Sequence, residues 1–310
     1  MSSLLEIREN IKKIYGQYEM YITPVLKFLL ALLAIIMINS KLGYMDLLNN
    51  VFIVLMAAVA CAILPWGCVL VLAALFVVGH IYALAMECAA IALAIFAIMF
   101  LLYFRFTPKD ALLVLLTPIC FFLKIPYLIP ICAGLVCTPA SVVAVGCGVV
   151  THYMIDSVSE SAVAMAGAEG EVSSTFKLML EGIIGNTAMI VTLFAFTVAI
   201  VVVYIIRKLS IDYSWSVAMF TGAVVDAMIL LVGDLLLDTK ISIVWLLVGS
   251  VLAVLVAKVL QFFVFNVDYS RTEKVQFEDD EYYYYVKAVP KVTVAPAAKT
   301  VKKINSSRTY

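Results

Sequence analysis

The chain has 310 residues, 65% of them apolar and 14% charged, with 21 bases balanced by 21 acids. Balanced charge removes nucleic acid as a partner suggested by bulk electrostatics. Apolar runs of about 17–25 residues, long enough to cross some 30 Å of hydrocarbon as helix, point away from a soluble globular protein. The predicted fold class is an all-α integral membrane protein, a polytopic bundle of about 8–10 transmembrane helices with a proline-broken or re-entrant centre.

In chain order, residues 1–21 come first. Leu4, Ile7, Ile11, Ile14, Tyr15 and Tyr18 recur at helical spacing, with Glu6, Arg8, Glu9, Lys12 and Lys13 opposite. This predicts an amphipathic helix lying either on the membrane surface or on the protein's own inner face. The transmembrane domain is expected over 22–266, and apolar runs open it at 22–39, 51–64, 67–84 and 88–104. The first run is long and ends without a small-residue cleavage pattern, so it is expected to remain as a span. Pro65, Trp66 and Gly67 predict a tight turn. Lys27, Glu87 and Lys124 fall near span ends, where long side chains snorkel towards water.

Residues 110–156 are the least regular. Pro118, Pro126, Pro130 and Pro139 interrupt a mostly apolar stretch that also carries Lys124, Gly134, Gly146 and Gly148. An interior proline removes a helix hydrogen bond and clashes with the preceding turn. Three full spans need about 60 residues, so the stretch predicts one span plus a broken or re-entrant element, or three short helices. Irregular backbone at membrane depth survives only under cover of protein or water, which makes this region interior. Ala140, Ala144 and Gly148 repeat every four residues, spacing that lets helix backbones approach closely.

The connection 157–174 follows Asp156 and carries Glu160, Glu169 and Glu171 without a base. It reads as an external loop. Further spans are expected at 187–206, 215–236 and 241–265. Arg8, Lys12, Lys13, Arg105, Lys109, Arg207 and Lys208 fall on one side by parity, the cytoplasmic side by charge bias. Both termini are then cytoplasmic and the protein belongs in the cell membrane.

Ionisable groups inside spans cost about 2.5–3.5 kcal/mol and are functional hypotheses by default. Asp226 sits near the centre of its run, Asp234 follows almost on the same helix face, and Lys258 in the next run is within snorkelling reach. They are predicted to form an intramembrane charge pair or transport site. Gly233 and Asp234 match half of the Gly-x-Gly-Asp signature of aspartyl intramembrane proteases, but Leu231 replaces the first glycine. Two aspartates about 12 Å apart along one helix cannot share a proton as a catalytic dyad does. With no His-Glu-x-x-His, Gly-x-Ser-x-Gly or P-loop pattern either, no enzyme and no cofactor are expected. His80 reads as a packed or interfacial residue more than a proton carrier, and His152 is a weaker candidate for proton transfer still. All seven cysteines lie in apolar stretches and none form a Cys-x-x-Cys pair, so no metal site is expected.

The tail, 267–310, has no spanning run. Glu278, Asp279, Asp280 and Glu281 lead straight into Tyr282, Tyr283, Tyr284 and Tyr285. Val286, Ala288, Val292 and Val294 alternate around Lys287, Lys291 and Thr293, predicting an extended strand interrupted by Pro290. The end of the tail reads as disordered. Tyrosines supply contact area at low entropy cost, and a strand can add to a partner's sheet, so the segment predicts docking of a cytosolic protein, the alternative being that the tyrosines lie at the headgroup layer close to the last span. The sequence Phe-Glu-Asp-Asp-Glu-Tyr-Tyr-Tyr-Tyr-Val-Lys-Ala-Val-Pro over 277–290 resembles the ends of uncharacterised multi-pass membrane proteins of Gram-positive-type bacteria. That resemblance extends over most of the chain and implies no activity or catalytic residues.

Two function classes follow. One is a transporter, or a membrane subunit of a transport complex, for a small molecule or ion; lacking a nucleotide-binding sequence, it would draw energy from a separate ATPase or an ion gradient. The other is a scaffold in the lipid bilayer whose tail recruits cytosolic, envelope or division partners.

Overall fold

The computed structural model describes residues 2–167, 172–239, 242–264 and 273–289. Glu169, Glu171 and the tail beyond 289, including the strand expected through Val292 and Val294, lie outside the described residues. The first helix, α1 (Ser2–Lys41), breaks at Tyr18 (φ −116°, ψ 17°). The chain divides into two compact units there: Glu19–Val264 is one, and Met1–Tyr18 with Phe265–Tyr310 is the other.

The larger unit is all helix: the rest of α1, then α2 (Asp46–Asn49), α3 (Val51–Ile63), α4 (Trp66–Leu84), α5 (Met86–Phe106), α6 (Ala111–Phe122), α7 (Leu128–Val136), α8 (Ser141–Gly167), α9 (Val172–Ile184), α10 (Thr187–Lys208), α11 (Ser214–Leu237) and α12 (Ile243–Val264). Among the described residues seven helices, α1, α4, α5, α8, α10, α11 and α12, are long and apolar enough to cross a membrane. The chain is therefore an all-α polytopic membrane bundle. A shortened eighth passage is α3, whose 13 residues return the chain from the end of α1 to the start of α4.

The helix α3 has 13 residues, about 20 Å of rise. It starts at Asn50, whose side chain accepts from the Phe52 amide at 2.9 Å, and stops before Pro65, which disfavours helix in the preceding residue. Lys27 does not snorkel. Its ammonium donates to the Leu64 carbonyl at 3.0 Å and lies 5.5 Å over the Trp66 ring, capping α3 from within α1.

The proline-rich centre folds as a helical hairpin. At 12 and 9 residues, α6 and α7 rise about 18 and 14 Å, and neither crosses alone. Both open ends lie on one side. Cys137, just beyond α7, is within electrostatic reach of Asp110 before α6 and of Arg207 at the end of α10. The Arg207 guanidinium donates to the Leu135 carbonyl, and to that of Cys137 at 2.7 Å. The Tyr103 hydroxyl ties the end of α5 to Pro108 at 2.8 Å. The hairpin thus enters and leaves at the Arg207 end of the bundle, with its tip towards the opposite, Lys41 end. One span, α8, plus a re-entrant element is the arrangement adopted.

Each proline has its place. Pro118 inside α6 leaves the Val114 carbonyl without a helical donor, and Gly148 of α8 lets that oxygen approach: a Cβ there would stand 3.0 Å from it and collide with Thr117. Ala144 is fully buried on the same helix, whereas Ala140 falls in the turn before it. Pro130 sits in the first turn of α7, where amides have no helical partner to lose. Pro126 and Pro139 lie in the flanking turns. Most of α7 is buried, packed against α8, α10, α11 and α12. Val203 of α10 occupies space that Cβ atoms on Gly134 and Gly222 would claim.

The external-loop expectation for 157–174 needs correction. Helix α8 continues through Gly167 and α9 begins at Val172, folding back so that Gly182 meets Ser157. Alanine, serine, methionine and glutamate without proline suit a helix end as well as a loop, which is why composition misled. His80 is fully buried as a packing residue: Nδ1 accepts from the Met45 amide at 3.2 Å, and Nε2 faces Asn39 Oδ1 at 2.9 Å.

In the smaller unit the N-terminal helix leaves Ile7, Ile11, Ile14, Tyr15 and Tyr18 exposed and buries Arg8, which pairs with Glu9 at 3.1 Å. The tail forms an antiparallel hairpin, β1 (Glu273–Glu278) and β2 (Tyr283–Ala288), with Val275 opposite Val286 and Phe277 opposite Tyr284.

Candidate functional site

The re-entrant tip is built around a strained residue. Ile125 N donates to Cys120 O at 2.9 Å and Lys124 N to Phe121 O at 3.0 Å, the paired bonds of a Schellman helix end whose left-handed position usually holds glycine. Here Lys124 occupies it, at φ 60°, which costs an L-residue about 1–2 kcal/mol. The Lys124 ammonium lies 5.0 Å over the Trp245 ring of α12. Tyr127 seats its ring where Gly249 of α12 has no side chain: a Cβ there would come within 2.6 Å of the ring.

On one side of the tip a cleft of about 340 Å³ opens at the Lys41 end, lined by Lys41, Lys124, Phe121, His152 and Asp156. Lys41 Nζ lies 2.8 Å from Asp156 Oδ1, and His152 Nε2 lies 3.6 Å from Asp156 Oδ2. One carboxylate therefore serves two basic side chains. The Phe121 ring stacks on His152 at 4.2 Å and 17°. Met37, Pro118 and Ile155 line both this cleft and an apolar chamber of about 50 Å³ beneath it, which runs past Thr151 to Tyr103. The Tyr103 hydroxyl is already at the Arg207 end. The cleft and the chamber thus share part of their walls, and the chamber's lining extends towards the Arg207 end.

On the other side of the tip the polar side chains lead inward. The Tyr153 hydroxyl meets Thr192 Oγ1 at 2.9 Å, and Tyr127 is within electrostatic reach of both Tyr153 and Asp226. Asp226 in α11 is 1% exposed, and neither carboxyl oxygen has a hydrogen-bond partner among the described residues. Its burial agrees with the sequence reading, but its expected partner does not. Lys258 Nζ donates to Ser216 Oγ at 2.7 Å, ten residues and about 15 Å along α11 from Asp226, so the Asp226–Lys258 pair does not form. The lysine has reached for the nearer helix end. Asp234 accepts from Thr239 Oγ1 at 2.9 Å beyond the end of α11, and it too is separate from Asp226. The three residues expected as one site are spread over α11 and α12 without meeting.

Lys124, His152, Tyr127 and Arg207 were not singled out as site residues by sequence reasoning. For His152 the signal was present, since histidine and Asp156 are four apart and share a helix face. For Lys124 it lay in the proline two residues on, the usual sequel to a Schellman end.

The tail's acids and tyrosines do not act as a single motif. Asp279 Oδ1 accepts from the amides of Glu281 at 2.9 Å and Tyr282 at 2.7 Å, and Oδ2 accepts from the Tyr284 hydroxyl at 2.8 Å. These bonds hold the Asp279 carboxyl below the usual carboxylate range and push the Tyr284 hydroxyl up. Tyr284 stacks on Phe277 at 4.9 Å, with Tyr282 edge-on at 6.3 Å. Glu278, Asp280 and Glu281 are exposed around the turn. Tyr283 and Tyr285 are exposed on the opposite face of the hairpin.

Among the described residues no three histidine, cysteine, aspartate or glutamate side chains are grouped to hold a metal ion. Comparison of the chain with protein-family models, with curated proteins and with solved structures finds no match.

Proposed function

We propose that this protein is a transporter, or the membrane subunit of a transport complex, whose substrate path is organised by the α6–α7 hairpin. The observation that carries the reading is the position of the strained tip. It stands between a charged cleft open at the Lys41 end and a buried carboxyl at Asp226 that has no hydrogen-bond partner among the described residues. Interrupted helices meeting near the bilayer midplane are how many transporters build a site. A lone charge there costs several kcal/mol, so Asp226 is suited to take up and release a proton or cation as the hairpin shifts. The reading assigns no covalent chemistry, and it places the Arg207 end and both chain ends in the cytoplasm from the basic-residue bias.

A substrate-free test is available. On a cysteine-free background, a single cysteine replacing Thr151 in the apolar chamber should react with a small thiol reagent offered from either side of oriented vesicles, because transport requires access to alternate. Reaction from one side only, or from neither, defeats the reading.

A scaffold role is the second reading, favoured by the exposed Tyr283 and Tyr285 on a hairpin that groups with the N-terminal helix in its own compact unit. Changing both tyrosines to serine should then abolish crosslinking to a cytosolic protein without lowering abundance. Unchanged crosslinking patterns exclude it.

A further inference from the structure

The charged cleft at the tip is unbalanced. Facing it are Lys41 from α1, Lys124 from the α6–α7 turn, and His152 and Asp156 from α8. With the imidazole neutral, two positive charges meet one negative charge. The negative charge is already engaged, since Asp156 lies between Lys41 at 2.8 Å and His152 at 3.6 Å. The Lys124 ammonium, among the described residues, has the Trp245 ring and no carboxylate. Among the described residues a cation entering would find no free acid, whereas an anion would find an ammonium held only over the Trp245 ring and a second, Lys41, with donors to spare.

The floor and walls describe the rest of the ligand. The stacked Phe121–His152 pair forms one wall, and Met37, Pro118 and Ile155 also line the apolar chamber below. The cleft's volume is at the small end of the ~300–1,000 Å³ typical of small-molecule sites. We infer that this cleft binds a small organic anion with an apolar body, its acid group held between Lys124 and Lys41 and its apolar part directed onto Phe121 and into the chamber. Strain at Lys124 fits this assignment, because a left-handed turn that would favour glycine holds instead the ammonium the anion needs. In naming the anion a substrate the inference rests on the transport reading; as a binding site it stands apart, and the experiment reads occupancy without transport. The same chemistry is carried by a free carboxylic acid and by an anionic lipid headgroup.

Trp245 beneath Lys124 is a built-in reporter. With Trp66 and Trp215 changed to phenylalanine, it is the sole tryptophan of the three. In nanodiscs of neutral lipid, cyclohexanecarboxylate should change its emission saturably at millimolar concentration, while cyclohexylammonium and cyclohexanol, of like shape, should not. Lys124→Gln and Lys41→Gln should each raise the midpoint about tenfold or more, the loss of one charge-assisted contact, and Lys124→Arg should restore most of it. If the carboxylate response vanishes when phosphatidylglycerol is added, a headgroup competes for the same anion site; if it persists, the free acid is the occupant. The inference is overturned if the carboxylate response does not saturate in neutral lipid, if cyclohexylammonium saturates at an equal or lower concentration, or if neither lysine substitution moves the midpoint. Saturable binding without two-sided reactivity at position 151 would retain the anion site and dismiss transport.

Discussion

Replacing Lys124 separates backbone strain from side-chain function. At φ 60° an alanine retains the left-handed penalty of about 1–2 kcal/mol, whereas glycine escapes it. Both variants lose the ammonium over Trp245 equally, a contact worth about 0.5–1 kcal/mol at an exposed site. Lys124→Gly should therefore be more stable than Lys124→Ala by about 1–2 kcal/mol and lie within about 1 kcal/mol of the parent. For a chain of this size that is roughly 1.5–3 °C between the two apparent melting midpoints, measured in one detergent at one scan rate. Both variants should lose the carboxylate response of Trp245. An alanine variant as stable as the glycine variant would show that the turn carries no strain. A glycine variant that still binds the carboxylate would show that the strain serves something other than the ammonium.

Asp226→Asn, nearly isosteric, should leave thermal stability unchanged or raised and abolish two-sided reactivity at position 151; a sharp loss of abundance would make that carboxyl structural. Combined with Lys258→Gln its effect on stability should be additive within about 0.5 kcal/mol, and coupling beyond about 1 kcal/mol would reinstate the pair that the Lys258–Ser216 bond replaces. Arg207→Gln should loosen the end of α7 by about 2–4 kcal/mol, through lost charge-assisted bonds and a lost helix-end charge, and speed thiol labelling of Cys137; unchanged labelling refutes the clamp. The β1–β2 turn should hold between about pH 5 and 9. Asp279, depressed when folded, contributes above its unfolded range and is lost as acid protonates it, whereas Tyr284, raised when folded, contributes until alkali removes its proton. Amide exchange at Tyr282 in the full chain should accelerate at both extremes, and a flat profile contradicts the assignment.

Run length and proline placement made the bundle legible, because both reflect the two requirements a bilayer imposes, apolar length and satisfied backbone. The buried position of Asp226 followed from the same reasoning. Its partner did not, since Lys258 lies at a depth between Asp226 and Ser216, and only packing decides which way its side chain turns. The cleft was hidden for a related reason: Lys41, Lys124 and His152 come from three separate segments, and their convergence depends on the turn at Lys124. In the tail, strand character was readable in β2 but not in β1, where Glu273, Lys274 and Gln276 conceal a short strand held by pairing more than by propensity.

The brevity of α3 bears on the lipid around it. Phe52, Met56 and Ile63 are its most exposed large side chains, yet the helix ends where Lys27 holds Leu64, about 10 Å short of an average hydrocarbon thickness. Acyl chains along that flank must tilt or shorten to match it, at a cost of fractions of a kcal/mol for each ångström. The annulus beside α3 should consequently be enriched in short or unsaturated chains, and the protein should partition into the thinner regions of a heterogeneous membrane.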